Sequence, residues 1–212
     1  IHKSADGSEV KNLLQKINNY VFKNPDELMA NIVGVTSFLR DKVEEDGTLT
    51  VIHTLDGKNY FLDEFGNYWR VYKFIEKATA YQQIENDADF YTCGLAFGEF
   101  QQMLAEYPAE KLYETIPNFH NTPSRFADFK KALAEDKAGR AKDVQAEIDF
   151  VLARECKADA ITSKLESGEI PYRVTHNDTK LNNILIDDAT GKAKCVIDLD
   201  TVMPGLSAYD FG

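Results

Sequence analysis

This sequence has few cations and no long apolar run, and both shortages restrict the kinds of protein it can encode. Its 24 lysines and arginines stand against 35 aspartates and glutamates, giving a formal charge of −11. A nucleic-acid-binding surface needs clustered lysine and arginine, so we expect no nucleic-acid partner. No stretch is apolar over the length that crosses a bilayer, and the first residues carry no signal-peptide pattern. We therefore expect no membrane association.

Cysteine is scarce as well. Cys93, Cys156 and Cys195 are odd in number, widely spaced and match no zinc-binding pattern. We interpret them as reduced, mostly buried thiols, which is typical of a cytoplasmic protein.

The first third of the chain favours strands around one helix. Residues 9–22 are rich in apolar and β-branched residues and are predicted to form a strand. Asn24 as N-cap and Pro25 after it begin an amphipathic helix. Its apolar residues recur at helical spacing, at Leu28, Ile32, Val35 and Leu39. From Leu49 three further strands are predicted as a meander, with Asp56-Gly57 as a hairpin turn.

The remaining chain is predicted to be mainly helical. The longest apolar stripe at helical spacing consists of Phe90, Cys93, Phe97, Phe100 and Leu104. A short helix around 126–133 and a longer one around 144–152 follow. The fold class is therefore α+β, with a small antiparallel β-rich lobe over residues 1–76 and a mainly helical lobe over residues 77–212.

A polar stretch, "YRVTHNDTKLNNILID" (172–187), lies between segments that read as core. His176, Asp178, Lys180 and Asn183 stand in the order H-x-D-x-K-x-x-N, which resembles the catalytic loop of protein kinases and their small-molecule relatives. An aspartate there can accept the proton of an attacking hydroxyl, and the lysine can reach the charge on a transferred phosphoryl group. Asn183 offers Mg²⁺ a carbonyl oxygen. Taken alone, the motif also fits a polar turn before a strand.

Fifteen residues after Asn183, a predicted hairpin delivers Asp198, which would give Mg²⁺ a second protein oxygen. Asp200 shares its face if the strand continues, and it contacts metal or substrate, or is simply solvated. The final Asp210-Phe211-Gly212 spells a kinase metal motif but lies beyond the Pro204-Gly205 turn. We expect Asp210 to hold the loop by hydrogen bonds instead.

Together with "LLQKINNYVFKNPDELMANI", "YWRVYKFIE" and "ETIPNFHNTPSRF", these motifs resemble the aminoglycoside phosphotransferase-like family of small-molecule kinases, and within it the N-acetylhexosamine 1-kinases. The resemblance implies a two-lobed protein-kinase-like fold and phosphorylation of a sugar hydroxyl that depends on ATP and Mg²⁺. It implies Asp178 as the base, within a catalytic set that includes His176 and Lys180, and Asn183 and Asp198 on the metal.

The resemblance also implies a nucleotide hinge, formed by Lys73, Phe74, Ile75 and Glu76. The strand position that meets the phosphates falls on Gln15 or Lys16, and Lys16 has the matching charge.

Four alternatives stay open. The acceptor could be another sugar, an alcohol such as choline, or an aminoglycoside, and the chain could be a non-catalytic nucleotide-binding module. The chain begins at Ile1 and stops at Gly212 without the family's first loop and last helices. We therefore expect a fragment with both lobes incomplete, and nothing in the sequence indicates an oligomeric state.

Overall fold

The structure, a computed structural model, describes residues 1–3, 7, 9–83 and 86–211. It contains helices and short antiparallel strands, so the predicted α+β class is confirmed. The chain divides into two compact units, one formed by residues 1–116 with 173–212 and the other by residues 117–172. The lobe boundary predicted at residues 76 and 77 lies inside the first unit and stays a prediction.

The strands pair antiparallel throughout the described part of the chain. They are β1 (His2–Lys3), β2 (Glu9–Val10), β3 (Asn12–Ile17), β4 (Val51–Ile52), β5 (Phe61–Leu62), β6 (Tyr68–Lys73), β7 (Ala78–Thr79), β8 (Arg173–Thr175), β9 (Ile184–Asp187), β10 (Ala193–Val196) and β11 (Met203–Gly205). The first predicted strand therefore ends at Ile17, before Phe22, because the chain turns at Asn18.

The α-helices are α1 (Pro25–Arg40), α2 (Asp87–Met103), α3 (Thr122–Glu135), α4 (Gln145–Leu152), α5 (Thr162–Glu166) and α6 (Ala208–Phe211). The second unit contains α3, α4 and α5. Of its two predicted helices, α3 is longer than expected and α4 is shorter. No helix among the described residues is long and apolar enough to cross a membrane.

Local sequence signals account for α1. The Asn24 side chain accepts a hydrogen bond from the Glu27 amide, and Pro25 occupies the first turn. The four apolar residues predicted to form its buried face, Leu28, Ile32, Val35 and Leu39, are all buried in the main core of the first unit. Burying each such side chain stabilises the fold by about 1.5–3 kcal/mol.

The sheet next to α1 is centred on β6. On one edge β6 pairs with β3, and on the other edge it pairs with both β4 and β5. The predicted meander is therefore wrong in its pairing. Among the described residues β4 and β5 follow each other along β6, and the Asp56-Gly57 segment closes a turn between Thr54 and Lys58. Because both strands run antiparallel to β6, they run in the same direction and form no hairpin with each other.

The predicted hairpin of β9 and β10 is confirmed, with Val196 opposite Ile184. Next to it β8 pairs with β11. Along the predicted stripe of α2, Phe97 and Phe100 are buried while Phe90 is largely exposed. These elements position the polar stretch that follows β8.

Candidate active site

Residues 176–180 of the polar stretch form a loop between β8 and a 3-10 turn at Leu181–Asn183, which leads directly into β9. Asn177 has a positive φ of 67°, a conformation that asparagine tolerates better than most residues. The amide of Ile197 donates a hydrogen bond to the Asn183 carbonyl at 2.8 Å. The segment after β10 is thereby tied to the loop.

His176 is fully buried and packs edge-on against Phe97 and Phe100, at centroid distances of 5.2 and 5.9 Å. Its Nε2 lies 3.0 Å from the Ile197 carbonyl oxygen, which can only accept, so Nε2 carries the proton. Its Nδ1 then accepts a hydrogen bond from the Asp178 amide at 3.3 Å. The side chain is placed to hold the backbone of Asp178 rather than to touch a substrate.

Asp210 holds the same loop from the other side. Its Oδ2 accepts hydrogen bonds from the His176 amide at 2.8 Å and from Gln101 Nε2 at 2.9 Å. Its Oδ1 accepts one from the Asn177 amide at 2.7 Å. The predicted loop-holding role of Asp210 is confirmed; Gly212, at the end of the same motif, lies outside the described residues.

The structure brings Asp178, Lys180 and Asn183 together. Lys180 Nζ lies 2.7 Å from Asp178 Oδ2, and Asn183 Nδ2 donates to the same oxygen at 3.0 Å and to the Asp178 carbonyl at 2.8 Å. Oδ1 of Asp178 has no partner among the described residues, and neither does Oδ1 of Asn183. One carboxylate oxygen and one amide oxygen thus remain for ligands.

Asp198 follows the hairpin, but β10 ends at Val196 and Asp198 adopts a left-handed conformation, with φ 59° and ψ 54°. A 3-10 turn at Leu199–Thr201 comes next, so the strand does not continue and Asp198 and Asp200 do not share a strand face. Partial desolvation and the carboxylates of Asp200 and Asp178 raise the pKa of Asp198 above its usual value. A cation beside it would relieve this crowding of negative charge.

A cavity of about 440 Å³ joins two groups of predicted site residues. Lys73, Phe74 and Ile75 of the predicted hinge line it, and so do Asn183 and Asp198. Its volume lies within the range of pockets that bind small molecules and cofactors.

The backbone of the hinge is partly occupied. The Phe74 amide donates to the Lys11 carbonyl at 3.2 Å, whereas the Ile75 amide has no hydrogen-bond partner among the described residues. That N–H suits an acceptor nitrogen of a base. Glu76 is not part of the cavity lining and pairs with Lys11 at 2.9 Å. The Lys73 side chain forms ion pairs with Glu45 and Asp46, in the loop between α1 and β4.

Strand alternation separates Gln15 from Lys16. In β3, Gln15 lies opposite Arg70 of β6 and lines the cavity, while Lys16 lies opposite Trp69, is exposed and is not in the lining. The phosphate-side assignment therefore stays a prediction, with Gln15 as the strand residue that faces the cavity.

Arg70 is the cavity residue that sequence reasoning missed. It is 5% exposed, and Gln15 Oε1 accepts hydrogen bonds from its Nε at 3.2 Å and its Nη2 at 3.1 Å. Its Nη1 lies 2.6 Å from Asp200 Oδ1, so Asp200 is paired rather than solvated. Burial alone would lower the pKa of Arg70, but Tyr72 and Asp200 raise it. A sequence signal for it did exist: Arg70 lies two residues before the apolar Tyr72 in a predicted strand, so both side chains lie on the same face.

Within the described residues, no group of three or more histidine, cysteine or acidic side chains is placed to hold a metal ion. Asn183 and Asp198 offer one amide oxygen and one carboxylate. Mg²⁺ prefers six oxygens and usually takes several from phosphates and water. The residues present therefore fit a Mg²⁺ that arrives with a nucleotide.

Comparisons with known proteins bear on the family and the fold of the chain. The model of the phosphotransferase enzyme family matches residues 39–212. An aminoglycoside phosphotransferase from Alicyclobacillus acidocaldarius is 11% identical with a TM-score of 0.61, covering 98% of this chain and 61% of that one. An amicoumacin kinase solved with AMP-PNP and Ca²⁺ is 15% identical with a TM-score of 0.62, covering 99% and 57%.

A microcompartment-associated aminopropanol kinase is 18% identical with a TM-score of 0.58, covering 97% of this chain and 62% of that one. These likenesses confirm the protein-kinase-like fold expected from the sequence. The chain spans about three fifths of the length of the proteins it matches.

Proposed function

Because the chain belongs to the phosphotransferase enzyme family, we propose that it forms part of a kinase that transfers the γ-phosphoryl group of ATP to a hydroxyl of a small molecule, with Mg²⁺. Since the chain spans about three fifths of its structural neighbours, the proposed activity is that of the complete protein. The lobes over residues 1–76 and 77–212 and the cytoplasmic location remain part of the proposal.

One observation carries this proposal. The same cavity is lined by the hinge, with the open Ile75 amide, and by Asn183 and Asp198, and Asn183 in turn contacts Asp178. A nucleotide whose adenine lies at the hinge would place its phosphates at Asn183 and Asp198, the two proposed metal ligands. The phosphates would then also lie beside Asp178, the proposed general base. A polar surface turn would not require this arrangement.

Each loop residue has a part in the proposed reaction. Bound Mg-ATP supplies the phosphoryl group and a cation that offsets its charge. Oδ1 of Asp178 has no donor among the described residues and would accept the proton of the acceptor hydroxyl as the hydroxyl oxygen attacks the γ-phosphorus and ADP leaves. Lys180 and Asn183 hold the other carboxylate oxygen, which fixes the orientation of the base. His176 keeps the loop backbone in place from its buried position.

For the acceptor we propose an N-acetylhexosamine phosphorylated at its anomeric hydroxyl. The support is the resemblance of the hinge, catalytic-loop and "ETIPNFHNTPSRF" segments to the N-acetylhexosamine 1-kinases. The second candidate is an amino alcohol or aminoglycoside, favoured by the aminopropanol and aminoglycoside kinases among the structural neighbours.

The test is acceptor-stimulated release of ADP by the full-length protein with Mg-ATP. The panel contains N-acetylglucosamine, N-acetylgalactosamine, galactose, choline, 1-amino-2-propanol and kanamycin. Asp178→Asn should reduce the rate by at least about 100-fold, because general-base catalysis supplies that much. Glu64→Gln removes the same charge at an exposed position and should leave the rate unchanged.

The acceptor that stimulates ADP release identifies the substrate class. Stimulation by an amino alcohol but by no sugar would replace the N-acetylhexosamine proposal with the second candidate. A protein that binds no nucleotide and releases no ADP would exclude the kinase altogether.

A further inference from the structure

The cavity has a cationic side chain that the proposed reaction has not yet used. Among the described residues that line it, Lys73 and Arg70 are the cations. Lys73 Nζ is paired with Glu45 at 3.1 Å and with Asp46 at 2.9 Å, and neither of these acidic residues lines the cavity. Arg70 remains as the cation that shares the cavity with Asn183 and Asp198.

From this arrangement we infer that Arg70 binds the nucleotide phosphates, in place of a lysine from β3. The inference deepens the proposed function and rests on it. Lys16, the strand residue with the expected charge, lies opposite Trp69 and outside the cavity lining. The neutral Gln15 occupies the cavity-facing position and contacts Arg70 instead. The positive charge that β3 lacks on this face is supplied by the neighbouring strand β6.

The guanidinium has donors to spare. Of its five N–H groups, Gln15 takes one from Nε and one from Nη2. At Nη1 the charge is paired with Asp200 Oδ1 at 2.6 Å, which occupies at most one of the two N–H groups of Nη1, and Gln15 takes one of the two on Nη2. Both terminal nitrogens therefore keep donors that a phosphate can take, in the forked geometry that suits arginine.

Burial strengthens this role. Arg70 is 5% exposed and its Gln15 contacts fix the plane of the guanidinium, so binding a phosphate costs little further side-chain ordering. Asp200 is its competing anion in the nucleotide-free protein. A phosphate would compete with Asp200 for the N–H groups of Nη1, so Asp200 should lower the affinity of Arg70 for the nucleotide phosphates.

The test compares binding of ADP and adenosine by calorimetry, with Mg²⁺ and separately with EDTA. The readout is the dissociation constant of adenosine divided by that of ADP. This ratio reports the contribution of the phosphates and cancels any damage to the site that binds adenine. Arg70→Gln leaves Asp200 without its cation, so the double variant Arg70→Gln/Asp200→Asn, which removes both charges, is measured alongside it.

We expect the double variant to lose about 10- to 100-fold in ADP affinity with adenosine affinity unchanged, the range given by a hydrogen bond to a charged group. Asp200→Asn alone should tighten ADP binding in EDTA several-fold, and this gain should vanish in the Arg70→Gln background. Arg70→Lys should restore part of the affinity. Arg40→Gln, the same change at an exposed arginine, is the matched control.

Two results would overturn the inference while leaving the proposed function standing. One is a double variant whose ratio equals that of the unmodified protein. The other is a ratio that falls in Lys16→Gln instead. A protein that binds neither ADP nor adenosine would overturn both.

Discussion

Asn31 and Tyr113 exchange two hydrogen bonds although 82 residues separate them in sequence. Asn31 Nδ2 donates to the Tyr113 carbonyl at 2.8 Å, and the Tyr113 amide donates to Asn31 Oδ1 at 2.8 Å. The same Nδ2 also donates to the Val202 carbonyl at 2.9 Å. One buried side chain of α1 thus joins this helix to two segments of the first unit that are distant in sequence.

Asn31→Ala should therefore destabilise the protein strongly. Asn31 is 1% exposed, so its removal leaves the buried carbonyl of Val202 and the part-buried backbone groups of Tyr113 without this partner. Each such group costs about 1–3 kcal/mol, and we expect a loss of at least about 2 kcal/mol in the free energy of unfolding. Urea denaturation measures it, with exposed Asn19→Ala as the control. Equal losses in the two variants would contradict the bridging role.

Asp210→Asn should loosen the loop that follows β8. The carboxylate of Asp210 accepts hydrogen bonds from N–H groups of His176, Asn177 and Gln101. In the variant an NH₂ group replaces one of its oxygens, so at least one of these donors faces another donor. Hydrogen bonds to a charged group contribute about 1.5–3 kcal/mol each, so the free energy of unfolding should fall by about that amount.

A kinetic readout separates loop position from global stability. At a temperature where Asp210→Asn remains folded, we expect the turnover number to fall while ADP affinity holds, because His176 and Asn177, whose amides Asp210 holds, do not line the proposed nucleotide cavity. If the turnover number is unchanged in the folded variant, Asp210 contributes stability alone.

Asp63 predicts a specific acid sensitivity. Partial desolvation would raise the pKa of Asp63, but hydrogen bonds from Trp69 Nε1, from Asn67 and from the Phe65 amide outweigh it and lower the pKa to about 2. Because this pKa is lower in the folded than in the unfolded protein, ionised Asp63 stabilises the fold. This contribution is complete above about pH 4 and is lost as the pH falls towards 2.

The measurement is the urea midpoint at pH 6, 4 and 2.5, followed by the fluorescence of the single tryptophan, Trp69. Asp63→Asn should be less stable than the unmodified protein at pH 6, and the difference should shrink at pH 2.5. A difference that stays constant across this range would show that the charge of Asp63 is irrelevant.

The three cysteines should differ in reactivity. They are all free, but Cys195 is buried, Cys93 is half-buried and Cys156 is exposed, so the expectation of mostly buried thiols holds poorly for Cys156. Burial raises the pKa of Cys195 to about 12, which leaves almost no thiolate at pH 8. Iodoacetamide should alkylate Cys156 in the native protein and Cys195 only in urea, as peptide mass spectrometry would show. Fast native alkylation of Cys195 would contradict its burial.

Sequence signals predicted the structure where they are local. The Asn24 cap and Pro25 begin α1 as expected, and turn residues close the hairpin of β9 and β10. Pairing across the sheet was harder to predict: Asp56-Gly57 favours a hairpin, but β4 and β5 each pair with β6 instead, an arrangement that depends on distant residues.

The candidate site divides in the same way. The spacing of Asp178 and Asn183 is readable from the sequence because both belong to one short loop. The end of β10 at Val196 and the contact of Arg70 with Asp200 are not, since each depends on how separate segments pack.

The left-handed backbone of Asp198 sets function against stability. A non-glycine residue in this conformation costs about 1 kcal/mol, and the raised pKa of its carboxylate shows that ionisation there is unfavourable in the folded protein. Glycine would remove both costs. A screen that rewards heat resistance alone would therefore accept Asp198→Gly, which gains stability and loses the proposed metal ligand.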